Sequence, residues 1–205
     1  VSTLEVQVFQ LDLDSLSAEA ALLSLDERER AARFRFDTDR HRYTACRVAL
    51  RCVLAAELGA TPESIAFTYN PHGKPALNAN GSLDFNVAHS GPMALIALTQ
   101  DGDIGVDIEA LRPELATPEV AATVFTDEER ALLRGVDHVE QFFRLWTRKE
   151  AYLKAIGEGF ASPSLEIPSD WQITELAVSD GYRGALAISG ATCCKVHLSW
   201  YSDRR

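Results

Sequence analysis

Along the chain, Val6, Val8, Leu11 and Leu13 form an imperfect apolar–polar alternation that predicts an opening strand. Ser24-x-x-Glu27 then offers a capping box in front of an Arg-rich stretch of helical character. From about Asp39 to Leu58 the apolar positions Cys46, Ala49, Leu50, Val53 and Leu54 recur at helical spacing, and Gly59 stands where a helix C-terminus favours glycine. After Thr61-Pro62, the residues Ile65, Phe67 and Tyr69 alternate as a strand, and Asn70 to Pro75 is a turn dense in chain breakers. Leu83, Phe85 and Val87 predict another strand. Met93 to Thr99 is a short apolar run, and Asp101-Gly102-Asp103 turns it into Ile104, Val106 and Ile108, so the middle of the chain reads as an antiparallel meander.

In the second half, Thr126-x-x-Glu129 caps a short helix, and a long one runs from about Val139 to Ile156 before Gly157 and Gly159. Strands are expected around Trp171 to Val178, Ala185 to Ser189 and Val196 to Trp200. Each half therefore supplies helix plus strands, which predicts an α+β fold of two similar lobes, residues 1–102 and 103–205, joined near residues 100 to 112. Leu111 to Pro118, with two prolines, is the nearest thing to a linker.

The length of 205 residues is about 1.4 times a typical domain of roughly 150, which fits one large domain or two small ones and excludes a long modular array. With 46% apolar and 24% charged residues the chain has the composition of a globular protein that needs no structural metal. A formal charge of −10 argues against a protein that grips nucleic acid or anionic membrane. Cys46 and Cys52 are too far apart along one helix to bond, Cys193 and Cys194 are adjacent, and no zinc-type C-x-x-C pair exists, so reduced thiols are expected. No apolar run approaches the ~18 residues of a membrane span, and the stretch VSTLEVQVFQLDLD carries acids where a signal peptide needs a basic start, so a cytoplasmic protein is expected.

Three features carry candidate chemistry. Asp103 to Glu109 alternates strictly, which turns Ile104, Val106 and Ile108 to one side and Asp107 and Glu109 to the other. Two carboxylates two residues apart on a strand, about 6.6 to 7 Å at Cα, reach a common point; they suit a hard cation such as Mg²⁺, and equally a strand with one wet face. On the long helix, Glu150 lies in the sector of Phe143, Trp146 and Leu153, with Lys154 beside it, so the pair interrupts what should be the buried stripe. A buried carboxylate needs a cation, a proton or a pocket. Finally, eight arginines fall between positions 28 and 51 (Arg28, Arg30, Arg33, Arg35, Arg40, Arg42, Arg47, Arg51). Acidic neighbours dilute them; most are expected to be helix-surface charges, with a few available to collect phosphates.

The order of these segments resembles that of a known family. Gly105-Val106-Asp107-Ile108-Glu109, followed by Trp146 to Gly159 (WTRKEAYLKAIGEG), is similar to the two signature motifs of the 4′-phosphopantetheinyl transferases. Gly73-Lys74-Pro75 and Phe85-Asn86-Val87-Ala88-His89-Ser90-Gly91 resemble the two upstream motifs of its longer, Sfp-like branch, and Asp39-Arg40-His41-Arg42 extends the likeness. The resemblance implies a monomeric pseudo-dimer of two α+β lobes with coenzyme A in the cleft between them. It implies transfer of phosphopantetheine to a serine of an apo acyl or peptidyl carrier protein, releasing adenosine 3′,5′-bisphosphate. Asp107, Glu109 and Glu150 would hold Mg²⁺, Glu150 would serve as base, and Lys154 and Asp107 would lie against the pyrophosphate. Arg42 and His89 would contact the 3′-phosphate, and Gly73, Lys74 and Pro75 would line the adenine end. The family often has Ser where this chain has Ala88, which leaves only the Ala88 backbone N–H for a phosphate contact. The competing readings are another Mg²⁺-dependent phosphotransferase or pyrophosphate hydrolase, which needs no carrier, and a non-catalytic coenzyme A or carrier-binding module.

Overall fold

The computed structural model describes residues 4–78, 83–158, 166–190 and 194–202; Gly159 and Cys193 lie outside them. Strand β1 (Leu4–Asp12) leads into helices α1 (Leu25–Ala32) and α2 (Asp37–Leu58), the short strands β2 (Phe67–Tyr69) and β3 (Pro75–Leu77), and then β4 (Asp84–Ser90) and β5 (Met93–Thr99). The second half runs β6 (Ile104–Ala110), α3 (Pro118–Val124), α4 (Asp127–Ala131), α5 (His138–Ile156), β7 (Trp171–Leu176), β8 (Tyr182–Ser189) and β9 (Cys194–Trp200). The fold is α+β. Among the described residues no helix is long and apolar enough to cross a membrane.

Local signals place the helices. Both capping boxes form: the Ser24 N–H donates to Glu27 Oε2 at 3.0 Å, and Thr126 and Glu129 bond reciprocally at 2.9 and 3.2 Å. Gly59 and Gly157 end α2 and α5 in the left-handed region, at φ 62° and 72°, which glycine adopts without a Cβ clash.

The strands form a four-stranded sheet in the order β4-β5-β1-β9, a small β2-β3 ribbon, and a three-stranded antiparallel sheet in the order β6-β8-β7. Two expectations need correction. The meander stops at β5, because both of its edges are already taken, by β4 and by β1, so the Asp101-Gly102-Asp103 turn delivers β6 to the other sheet. The last strand, β9, returns to the first sheet and pairs parallel with β1, Val6 opposite Val196. The 102/103 boundary thus falls between the sheets, while one strand of the second half completes the first.

Alternation in the strands builds the layers. Leu50 and Leu54 of α2 pack with Phe85 and Ile96 on one face of the large sheet. Its other face, with Val6, Val8 and Leu95, closes a dry core against Val106, Ile108 and Leu186. Each such side chain contributes about 1.5–3 kcal/mol on burial. The outer face of the small sheet carries α5, with Ala151, Tyr152 and Ala155 packed on Ala185 and Ala187. The β4 and β6 edges meet along a seam that is not a backbone ladder. Asp84 Oδ2, Asn86 Oδ1 and Ser90 Oγ accept the N–H groups of Ile104, Val106 and Ala110 at 3.2, 3.0 and 3.1 Å. These side chains satisfy strand donors that would otherwise be buried without partners.

Candidate active site

Strand β6 divides its side chains as the alternation requires: Ile104, Val106 and Ile108 are fully buried in the core between the sheets, and Asp107 lies on the α5 side. Gly105 makes that arrangement possible. A Cβ there would stand 2.0 Å from Ala151 O and 2.4 Å from Ala155 N, so the helix backbone rests directly on the strand. The close approach brings Lys154 to Asp107, with Nζ 2.5 Å from Oδ1. The other oxygen, Asp107 Oδ2, is buried and meets no hydrogen-bond donor among the described residues.

Burial raises the Asp107 pKa above the ordinary carboxylate range even though the Lys154 charge and hydrogen bond pull it down. Burial raises Glu150 as well, and the negative charges of Asp107 and Glu109 add to it while Lys154 opposes them. Lys154 therefore serves Asp107 rather than forming the simple i,i+4 pair with Glu150. Glu109 is engaged on one oxygen, where Oε2 accepts from Ser90 Oγ at 2.8 Å and from Arg112 at 3.1 Å.

Beside this cluster lies a cavity of about 300 Å³ built from both halves of the chain. His72, Gly73, Lys74, Pro75 and His89 line it from the first half, and Lys154, Gly157 and Glu158 from the second. Arg30, Tyr43, Arg47 and Tyr69 also line it. Burial, with the charges of Lys154 and Arg42, lowers the His89 pKa below the usual imidazole value. Gly73, Lys74, Pro75, His89 and Lys154 thus share one cavity. Asp107, Glu109 and Glu150 stand beside it rather than in its lining.

Other expected residues sit differently. Arg42 lies near enough to influence His89, yet its guanidinium is held bidentately by Asp14, at 2.7 and 2.8 Å, so it is not free in the cavity. The ammonium of Lys74 is engaged by protein, donating to Ala155 O at 2.8 Å and Ile104 O at 3.2 Å. Ala88 is 4% exposed and its side chain belongs to the core between the sheets. Nor are all eight arginines on the surface. Arg47 and Arg51 are buried and share Glu27, with Nε of each 2.7 Å from one of its oxygens.

Sequence reasoning missed Gly105 as the seat of α5, Tyr69 at the cavity and Asn70 in the turn beside it, and did not single out Arg30 and Arg47 among the eight arginines. A glycine inside an alternating strand is a signal of close backbone approach, and Asn ahead of a Pro-x-Gly turn is a signal of an Asx turn. Burial of Arg47 and Arg51 had no comparable local mark.

Comparison with known proteins decides the family. Residues 103–202 match the family described as the 4′-phosphopantetheinyl transferase superfamily, and residues 12–101 match the 4′-phosphopantetheinyl transferase N-terminal family. The chain is 38% identical to the 4′-phosphopantetheinyl transferase HetI of Nostoc sp. over 91% of its own length and 88% of that protein. It belongs to the 4′-phosphopantetheinyl transferase superfamily. The enzyme of that description from Bacillus subtilis is 30% identical over 80% of this chain and 74% of its own length, and AcpT of Escherichia coli K12 is 35% identical over 69% and 67%. In this transferase the two matched regions meet at the β5–β6 turn, and each contributes one wall of the cavity beside Asp107.

No three His, Cys, Asp or Glu side chains among the described residues are gathered tightly enough to hold a metal ion by themselves. The donors present nevertheless fit Mg²⁺. They are hard oxygens, one is buried and unpartnered, and this cation takes one or two carboxylates while phosphate and water complete its shell.

Proposed function

We propose that this transferase moves the 4′-phosphopantetheine group of coenzyme A onto a serine hydroxyl of an apo acyl or peptidyl carrier protein and releases adenosine 3′,5′-bisphosphate. The observation that carries the reading is the buried, half-partnered Asp107 carboxylate, with Lys154 on one oxygen and Glu150 nearby, beside a cavity that both halves of the chain line. A cavity built within a single chain also favours a monomer of two lobes, 1–102 and 103–205, over a site shared between subunits.

In this reading coenzyme A enters the cavity with its adenine end against Gly73, the Lys74 stem and Pro75, and with its 3′-phosphate toward His89. Lys154 lies where cavity and carboxylates join, so its ammonium is placed to meet the pyrophosphate. Asp107 Oδ2 and Glu150 would hold Mg²⁺, with the second oxygen of Glu109 reaching it through water, and the ion when bound would neutralise charge on the pyrophosphate. The serine oxygen then bonds to the β-phosphorus as the bond to the α-phosphate oxygen breaks, and Glu150 takes the serine proton. A carboxylate with a raised pKa is a stronger base than an ordinary glutamate. A reaction of this kind is accelerated mainly by positioning and fixed charge.

The test is incubation with coenzyme A, Mg²⁺ and an apo carrier domain, read by the mass of the carrier. A gain of one phosphopantetheine supports the reading. Cleavage of coenzyme A without carrier would instead indicate a pyrophosphate hydrolase, and binding without turnover a non-catalytic module.

A further inference from the structure

In the transfer reading the turn from Asn70 to Lys74 belongs to the nucleotide side of the cavity, yet Asn70 Nδ2 and Lys74 Nζ are spent on the other half of the chain. Asn70 does two things at once. Its Oδ1 accepts the backbone N–H groups of His72 and Lys74, at 2.9 and 2.8 Å, which shapes the turn that presents Gly73 and Pro75. Its Nδ2 donates to Gly157 O at 2.9 Å, just past the end of α5. Lys74 reaches the same place, with Nζ 2.8 Å from Ala155 O and 3.2 Å from Ile104 O at the start of β6. The last carbonyls of a helix lack intrahelical donors and carry the negative end of its dipole, so an amide N–H and an ammonium there are favourable partners.

Gly157 fits the arrangement closely. It is left-handed at φ 72°, and a Cβ would stand 2.7 Å from Asn70 Nδ2. Lys154 lies in this same last turn of α5, one turn from Glu150, and its ammonium must meet Asp107 on β6. The helix end and the strand start are the two parts that have to stay in register for that contact, and Lys74 bonds to both.

We infer that Asn70 and Lys74 are positioning residues, Asn70 tying the turn to the C-terminal end of α5 and Lys74 tying that end to β6, so that the turn lining the nucleotide end of the cavity also sets Lys154 and Glu150 against Asp107. Neither acts on the reacting atoms; both act through the helix. The inference rests on the transfer reading above and adds to it a coupling between the two walls of the cavity.

Asn70→Asp separates the two jobs of Asn70. Aspartate keeps the acceptor that shapes the turn and loses the donor to Gly157, placing a carboxylate oxygen against a carbonyl instead. With coenzyme A, Mg²⁺ and an apo carrier, kcat should fall about tenfold, the size of one lost hydrogen bond, while KM for coenzyme A stays within about threefold. The loss should also shrink in the background of Lys154→Ala, because part of the clamp's effect passes through Lys154 and only the part that passes through Glu150 remains. A raised KM with unchanged kcat, or full additivity with Lys154→Ala, would overturn the inference. Gly157→Ala, which crowds the same bond, should show the same split between kcat and KM and guards against an effect peculiar to the new charge. Amide hydrogen exchange separates failure of the clamp from failure of the transfer reading. The N–H groups of Gly157 and Glu158 bond back to Lys154 and Leu153 of α5, and they should exchange faster in Asn70→Asp even if no carrier is ever modified. Unchanged protection at both would remove the clamp whatever the enzyme transfers.

Discussion

Two seams in this molecule bury charged side chains, and they do so in opposite ways. Between α1 and α2, Glu27 gives one oxygen to Arg47 and the other to Arg51, and Arg51 spends a further nitrogen on Pro62 O and Ile65 O, at 2.8 and 2.9 Å. Burial by itself would raise Glu27; the Arg47 charge, the Ser24 N–H and the bonds from both arginines outweigh it and hold the carboxyl below its ordinary range. Between β6 and α5 the balance is incomplete. Asp107 has a single cation and an unpartnered oxygen, Glu150 adds a second carboxylate, and both are pushed above the ordinary range. A satisfied cluster holds the fold and asks nothing of solvent. An unsatisfied one is stable only as part of a rigid frame, and its deficit marks it as a candidate site rather than a structural tie.

The contrast breaks most visibly at Asp107. Asp107→Ala should lower transfer by about 10³, the range seen when a charge that stabilises a transition state is removed, while circular dichroism and melting stay close to wild type. Transfer at wild-type rates would take Asp107 out of the site. Glu109→Ala should act in the same direction with less force, because water can replace one ligand of a hydrated cation.

Glu150→Gln sharpens the difference within the open seam. It keeps shape and one oxygen but cannot take a proton, so kcat should drop by about 10² to 10⁴ with only moderate weakening of coenzyme A binding. Near-normal kcat at saturating Mg²⁺ and coenzyme A would leave another group as the base. Lys154→Ala should impair both parameters, since a pyrophosphate contact acts in ground and transition states alike.

On the closed side the same chemical change should touch stability instead. Glu27→Gln leaves two buried guanidinium groups short of a counter-charge and should destabilise the protein by about 3 kcal/mol, with kcat of the folded fraction unchanged. The sign of the pH dependence follows from the lowered pKa. Glu27 stabilises the fold above its unfolded value near pH ~4.3 and loses that contribution as pH falls through its folded value. Urea unfolding followed from pH 6 down to pH 3 should show a steeper loss in wild type than in Glu27→Gln; parallel curves would mean that the triad is not what ties α1 to α2.

The smallest effect concerns the anion contacts proposed for the cavity. His89→Ala should raise KM for coenzyme A about tenfold and hardly change it for the 3′-dephospho analogue. Arg42→Ala should do less, because Asp14 already holds that guanidinium. Equal penalties on both substrates would show that neither side chain reads the 3′-phosphate.

What sequence by itself determined about this protein is its short-range order. Ser24 with Glu27 and Thr126 with Glu129 are three residues apart, Gly59 and Gly157 follow directly on their helices, and the alternation in β6 places Asp107 opposite Val106 and Ile108 without reference to any other element. The ordered motifs carried the family for the same reason, since each is a contiguous stretch whose spacing the chain cannot alter. Tertiary structure alone decided where distant segments meet. β9 crosses back to β1, β6 leaves the meander because β5 has no free edge, and Lys74 spends its ammonium on Ala155, 81 residues away. Nothing near Lys74 distinguishes an ammonium that binds phosphate from one that caps a helix, and nothing near Arg47 and Arg51 foretells that one glutamate from α1 will bury them both. A helix period or a cap is written into neighbouring residues. The partner of a buried charge depends on which surfaces remain to be covered once the sheets and helices have packed.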